Sequence, residues 1–238
     1  LLFLDHPPGN ALTPSMFPEL LDHVAAIEKD SALLAVVVAG AGGRTFSEGL
    51  DAEEWSRLSP KDAQAAIQRG FEALWALEHL TKPTVAAIEG TCRGAGAELA
   101  LACDIRCASE SASFAFPEVD QAWMPSHGGT ARLPRMIGRA KALELFLSAA
   151  NVRAREAADL GFVERVTRPG ESMTQAMALA RAFADAPRTA VHAIKRTLTE
   201  GEEKPYRNRF LLEAQHSVQL LWTDAYREAQ EKARRKGP

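Results

Sequence analysis

The stretch from Lys82 to Asp104, KPTVAAIEGTCRGAGAELALACD, constrains this chain more than any other. Residues 84–88 are a short, β-branched, apolar run with the length of a buried strand. Residues 90–96 then supply glycines and alanines, which let the backbone approach a neighbour closely. Strong helix formers follow over residues 97–103. A strand, a small-residue turn and a helix put a helix N-terminus at the turn. Its unpaired N–H groups and partial positive charge suit a negative oxygen. Glu98 falls on the predicted first turn, where an acid either complements the helix dipole or works in a site. A second acid, Glu118, follows Phe116-Pro117 at the end of another apolar run, residues 112–116. Such a chain corner is where sites are often built. Two carboxylates near one anion-stabilising turn can divide labour, one ionised and one protonated. Spacing alone leaves open whether the two meet.

The remaining chain supplies the frame. Residues 1–4 read as a strand entered partway, without the basic start or long apolar centre of a signal peptide. Thr13-Pro14 predicts a helix start, followed by Phe17, Leu20, Leu21, Val24 and Ile27 at helical spacing. Residues 33–39 predict a strand buried on both faces. Ser59-Pro60 opens another helix, with Ala63, Ile67, Phe71, Leu74 and Leu77 as its expected inner face. After the central stretch, residues 105–108, 112–116 and 162–167 are strand candidates. Residues 128–137, 140–149 and 154–160 are helix candidates, the first two split at Gly138. From about Glu171 the periodicity is helical, with breaks near Pro187 and over residues 201–205. This order predicts an α/β fold with parallel pairing, a core over residues 1–186 and a helical segment over 187–238. That segment carries Phe210, Leu211, Leu212, Val218, Leu221 and Trp222, which must be covered by the main body or by another subunit.

Composition closes off several function classes. A formal net charge of −3 and the lack of a basic–aromatic stripe argue against a nucleic-acid partner. No apolar run approaches membrane-spanning length, so no membrane partner is expected. Cys92, Cys103 and Cys107 form no C-x-x-C pair and read as buried thiols, which points to a cytoplasmic protein. The six histidines are scattered without metal-ligand spacing, and no metal is expected.

Read together, the motifs resemble the enoyl-CoA hydratase/isomerase (crotonase) superfamily. They are Asn10-Ala11-Leu12, TFSEGLD, KPTVAAIEGTCRGAGAELALACDIRCAS, FAFPE, MPSHGGTARLPRMIG and AREAADLGFVERV, in that order. The resemblance implies a spiral of ββα units with a C-terminal helical part that drives assembly into a homotrimer or homohexamer. It implies an acyl-CoA thioester as the substrate, with coenzyme A as part of that substrate and no separate cofactor. The backbone N–H groups of Leu50 and Ala95 would form the oxyanion hole; one such donor is typically worth about 3–4 kcal/mol of barrier. Glu98 and Glu118 both fall on positions used by the hydratase branch. The leading expectation is therefore reversible hydration of a trans-2-enoyl-CoA. Double-bond isomerisation relying on Glu118 is the alternative chemistry. A non-catalytic acyl-CoA-binding homologue is the alternative class. Ala52, Trp123, Pro125, Ser126 and His127 are the substrate-binding candidates.

Several positions depart from the family pattern. Ala95 stands where glycine is usual, and would be strained if its φ had to be positive. Glu48 replaces a small residue and is expected to face solvent or pair with Arg44. Ser126 and His127 are bulkier than the glycine-rich sequence that usually follows the proline. His127 is a candidate acid/base or a hydrogen-bond partner of Glu118. Trp123 and Trp55 either narrow the acyl pocket or pack elsewhere. The lysine often found near the CoA adenine is absent, leaving Arg44, Arg234, Arg235 and Lys236 as candidates for the CoA phosphates.

Overall fold

Residues 82–104 form the expected strand and helix, but a short strand, Thr91–Arg93, stands where a turn over residues 90–96 was expected. The computed structural model describes residues 1–236; the Lys236 side chain, Gly237 and Pro238 lie outside the described residues, and with them the end of the predicted helical segment. Five strands make one parallel sheet: β1 (Leu2–Leu4), β2 (Val36–Gly40), β3 (Thr84–Ile88), β5 (Ile105–Ser109) and β8 (Arg165–Thr167), side by side in that order. A smaller sheet has β4 (Thr91–Arg93), β6 (Ser113–Ala115) and β7 (Val152–Arg153), with β4 parallel and β7 antiparallel to β6.

The helices are α1 (Met16–Lys29), α2 (Ala52–Ser56), α3 (Pro60–Glu78), α4 (Gly94–Ala102), α5 (Gly129–Ile137), α6 (Arg139–Ser148), α7 (Ala154–Leu160) and α8 (Ser172–Ala184). The C-terminal part adds α9 (Arg188–Gly201), α10 (Tyr206–Leu221) and α11 (Asp224–Lys236). Among the described residues, no helix is long and apolar enough to cross a membrane.

Strand alternation explains why the large sheet is apolar throughout. Val37, Ala39, Val85, Ala87 and Cys107 face α8, where Ala176, Leu179 and Ala180 cover them. Val36, Val38, Ala86, Ile88 and Ala108 face the larger core, which includes Phe17, Leu74, Leu77 and Leu99. The two covered faces are those of a parallel sheet in an α/β fold.

Several local expectations shift by a few residues. The first helix begins at Met16, after Ser15 and not after Thr13, and Ser15 makes no side-chain cap bond; the Thr13 hydroxyl bonds the Ser15 hydroxyl at 3.0 Å. The second strand begins at Val36, because residues 33–35 precede the ladder with β3. Ser59 caps α3 as its sequence predicts, accepting from the Asp62 N–H. The inner face of α3 is rotated, however: Ala66, Gly70, Ala73, Leu74 and Leu77 are buried, and Phe71 is exposed. A bulky side chain cannot sit where Gly70 meets the core. Helix α4 begins at Gly94, three residues before the predicted start. Glu98 therefore lies one turn inside the helix, among the core packing, and not at its dipole end.

Candidate active site

The site is built where residues 47–50 lie against the start of α4. Ser47 bridges Cys92 in parallel, and the Arg93 N–H donates to the Ser47 carbonyl at 3.0 Å. Gly96 has no side chain because Ser47 occupies the space: a Cβ there would fall 2.5 Å from the Ser47 Cβ. Gly94 carries the left-handed φ of the turn, +48°, and a Cβ on it would meet the Glu118 Oε1 at 2.9 Å. Ala95 is not among the left-handed non-glycine residues, so the alanine that departs from the family pattern carries no backbone strain. Among the described residues, neither the Leu50 N–H nor the Ala95 N–H has a hydrogen-bond acceptor. Ala95 is the second residue of α4, where the helix leaves its N–H groups unpaired. Leu50 is skipped by the bridge to Leu12, whose N–H goes to Gly49 and whose carbonyl takes the Asp51 N–H.

Glu98 projects from α4 and is 1% exposed. Its Oε1 accepts from the main-chain N–H of His127 at 2.9 Å and of Gly129 at 2.7 Å. A Cβ on Gly129 would lie 2.9 Å from that oxygen, so the glycine is needed for the close approach. Glu118 enters from the short 3₁₀ turn Pro117–Gln121, directly after β6. Among the described residues its buried Oε2 has no hydrogen-bond partner. Burial pushes the Glu118 pKa up to about 7; its own N–H opposes this, the nearby Glu98 adds to it, and Arg93 opposes it. The two acids read from the sequence thus meet at one site, in unlike surroundings.

The remaining candidates divide by depth. Ala52 opens α2 directly after the Leu50–Asp51 peptide and is exposed. Trp123 is 49% exposed, and its N–H closes the turn onto the Glu118 carbonyl at 2.9 Å. Pro125 is buried and Ser126 is half-buried. The His127 side chain has no exposure at all and lies beneath Glu98. Trp55 is half-buried and donates its indole N–H to the Leu12 carbonyl at 3.0 Å. Glu48 faces solvent, with its stem against Gly9 and no ion pair to Arg44. Arg44, Arg234 and Arg235 are exposed. Among the described residues, no group of three His, Cys, Asp or Glu side chains is arranged to hold a metal ion.

Sequence reasoning missed Gly70 and Gly129 as parts of this site. The available signals were a glycine inside a helical pattern, which asks for a packing reason, and the Gly128-Gly129 pair. It also missed the Arg132–Glu78 ion pair behind His127, 2.7 Å long, which no local motif announces.

The family model described as enoyl-CoA hydratase/isomerase matches residues 1–236. The chain belongs to the enoyl-CoA hydratase/isomerase family. A short-chain-enoyl-CoA hydratase of Clostridium acetobutylicum is 36% identical over 192 residues, 81% of this chain and 74% of that protein. A crotonyl-CoA hydratase of Syntrophomonas wolfei is 32% identical over 215 residues, 90% of this chain and 83% of that one. The crystal structure of an enoyl-CoA hydratase from Bacillus anthracis superposes with a TM-score of 0.92 at 30% identity, covering 96% of this chain and 88% of that chain. The fold is thus that of the crotonase superfamily, and this chain is an enzyme of that family.

Proposed function

We propose that this enzyme adds water reversibly across the double bond of a trans-2-enoyl-CoA. The observation that carries the reading is the unlike pair of carboxyl groups at the start of α4. Glu98 is held by two N–H groups, while Glu118 is desolvated and protonated up to about pH 7. Two carboxyl groups in unlike surroundings can take different roles. Glu98 takes a proton from the attacking water as its oxygen bonds to the β-carbon. Protonated Glu118 delivers a proton to the α-carbon. Between these steps, charge gathers on the thioester oxygen, where the Leu50 and Ala95 N–H groups stabilise it. In the reverse direction the same residues dehydrate a 3-hydroxyacyl-CoA. The chemistry uses no cofactor beyond the substrate's own CoA.

The test is loss of enoyl-thioester ultraviolet absorbance with a panel of trans-2-enoyl-CoAs, for the parent, Glu98→Gln and Glu118→Gln. Turnover by the parent that falls about 10²–10⁴-fold in each variant supports the two-glutamate hydratase. A second reading, double-bond isomerisation, is favoured by Glu118 alone, since a pKa of about 7 lets one group both take and return a proton near neutrality. Isomerisation that survives Glu98→Gln would replace hydration with that reading. CoA-thioester binding without turnover would make the chain a non-catalytic member.

A further inference from the structure

The His127 ring is the buried polar group that the proposed chemistry leaves unused. It stacks on Phe17 of α1 with ring centres 4.7 Å apart and planes 10° apart, and it meets Trp55 of α2 edge-on at 5.9 Å. Gly70 of α3 closes its far edge: a Cβ there would lie 2.2 Å from the His127 Cδ2 and 2.3 Å from Nε2. Nε2 is buried and has no hydrogen-bond partner among the described residues. Nδ1 is 3.0 Å from the Ser126 hydroxyl and 3.7 Å from the Glu98 Oε2. The same residue's N–H holds the other Glu98 oxygen, and its carbonyl accepts from Arg132 at 2.8 Å. Arg132 is in turn fixed by Glu78. Glu98 of α4 faces the ring, and Arg132 of α5, paired with Glu78 of α3, binds the His127 carbonyl; Phe17 of α1 and Trp55 of α2 contribute aromatic faces.

This arrangement distinguishes the two neutral tautomers. A proton on Nε2 would be a buried donor with no acceptor, and the Nδ1 lone pair would then face the Glu98 carboxyl oxygen. A proton on Nδ1 donates to Ser126 and points its positive end toward Glu98.

We propose that His127 is a positioning residue for Glu98, acting as the Nδ1–H tautomer. Its main-chain N–H fixes Oε1, its ring N–H faces Oε2, and the aromatic seat of Phe17, Trp55 and Gly70 holds the ring still. The contact stands on geometry, and its catalytic consequence rests on the reading of Glu98 as the general base.

The test joins nitrogen-15 long-range NMR of the histidine rings with kinetics of His127→Asn and His127→Leu on trans-2-butenoyl-CoA. Asparagine restores an N–H close to the Nδ1 position; leucine fills the space without one. The expected spectrum of the parent shows Nδ1 protonated, Nε2 bare, and a resonance that moves on Glu98→Gln. Leucine is expected to lower kcat about 10-fold with KM nearly unchanged, because the ring N–H faces Oε2 across 3.7 Å as a dipole near a charge and not as a hydrogen bond. Asparagine is expected to recover most of that loss. Asparagine fills an apolar seat worse than leucine does, so a purely structural ring would give the opposite order. A proton on Nε2, or equal losses in the two variants, overturns the proposal. A parent that hydrates no enoyl-CoA overturns the hydratase reading alone. The NMR then decides the contact by itself, and a His127 resonance indifferent to Glu98→Gln sinks it.

Discussion

Helices α4 and α10 end in opposite surroundings. All nine residues of α4 are buried. Of the sixteen residues of α10, only Leu212 and His216 are, while Phe210, Leu211, Val218 and Leu221 are each about half exposed or more. A separate apolar cleft beside α9 is lined by Pro83, Ile105, Phe183, Val191, Ile194 and Leu198. The first helix finds its packing partners within its own chain, and so it can hold a carboxylate in place. The second leaves apolar surface of the kind that marks an interaction site. The difference separates a helix packed wholly within its own chain from one whose apolar residues are left uncovered.

Two variants test the extremes of that contrast. Glu98→Gln keeps the shape of the buried carboxyl but removes its basicity, and is expected to cost about 10²–10⁴ in kcat with an unchanged circular dichroism spectrum. Retained hydration would remove Glu98 from the mechanism. At the other end, Leu211→Glu combined with Leu221→Glu puts charge on the exposed face of α10. Sedimentation is expected to show the parent as a trimer or hexamer and the double variant as mostly monomer, with little change in monomer secondary structure. A monomeric parent at micromolar concentration would mean that copies of this chain are not what covers α10.

The same contrast explains what the sequence made legible. Residues 84–88 were readable as a strand, and both glutamates as candidates, because each carries its signal locally. The tight fit of α4 was not. Gly94 lies against Glu118 and Gly96 against Ser47, residues far away in the chain. The small sheet escaped notice for a related reason: β4 and β7 are three and two residues long, and only their pairing with β6 makes them strands. His127 was visible as an odd residue in a glycine-rich loop. Its place beneath Glu98 depends on Gly70, in a helix whose rotation its apolar pattern did not fix.

Substitutions at the close contacts sharpen the comparison further. Gly70→Ala and Gly96→Ala should both favour a helix by about 1 kcal/mol if propensity alone decided. Here each methyl would be driven into a packed neighbour, the His127 ring or the Ser47 side chain. Overpacking of this kind costs about 1–3 kcal/mol, so both are expected to lower the urea midpoint and to reduce kcat by displacing His127 or the oxyanion strip. A matching alanine at exposed Gln215 in α10 should have no comparable cost. If Gly96→Ala were neutral or stabilising, α4 would be less tightly packed than its burial implies.

The smallest expected effect concerns the Glu118 charge itself. In the folded state this carboxyl holds its proton up to about pH 7, above its ordinary value of 4.5, chiefly because it is desolvated. The folded state therefore binds this proton more tightly than the unfolded chain does. That contribution is fully present below the unfolded pKa and is lost as pH rises to about 7, beyond which the ionised group strains the fold. Glutamine carries no such charge. Glu118→Gln is expected to leave stability nearly unchanged at pH 4 and to raise it by roughly 1 kcal/mol at pH 8, a screened part of the full shift. Urea unfolding at the two pH values reads the difference directly. The parent's hydration rate should fall over the same interval, because α-carbon protonation needs the acid form. A stability gain without the matching fall in rate would show that Glu118 is strained but is not the proton donor.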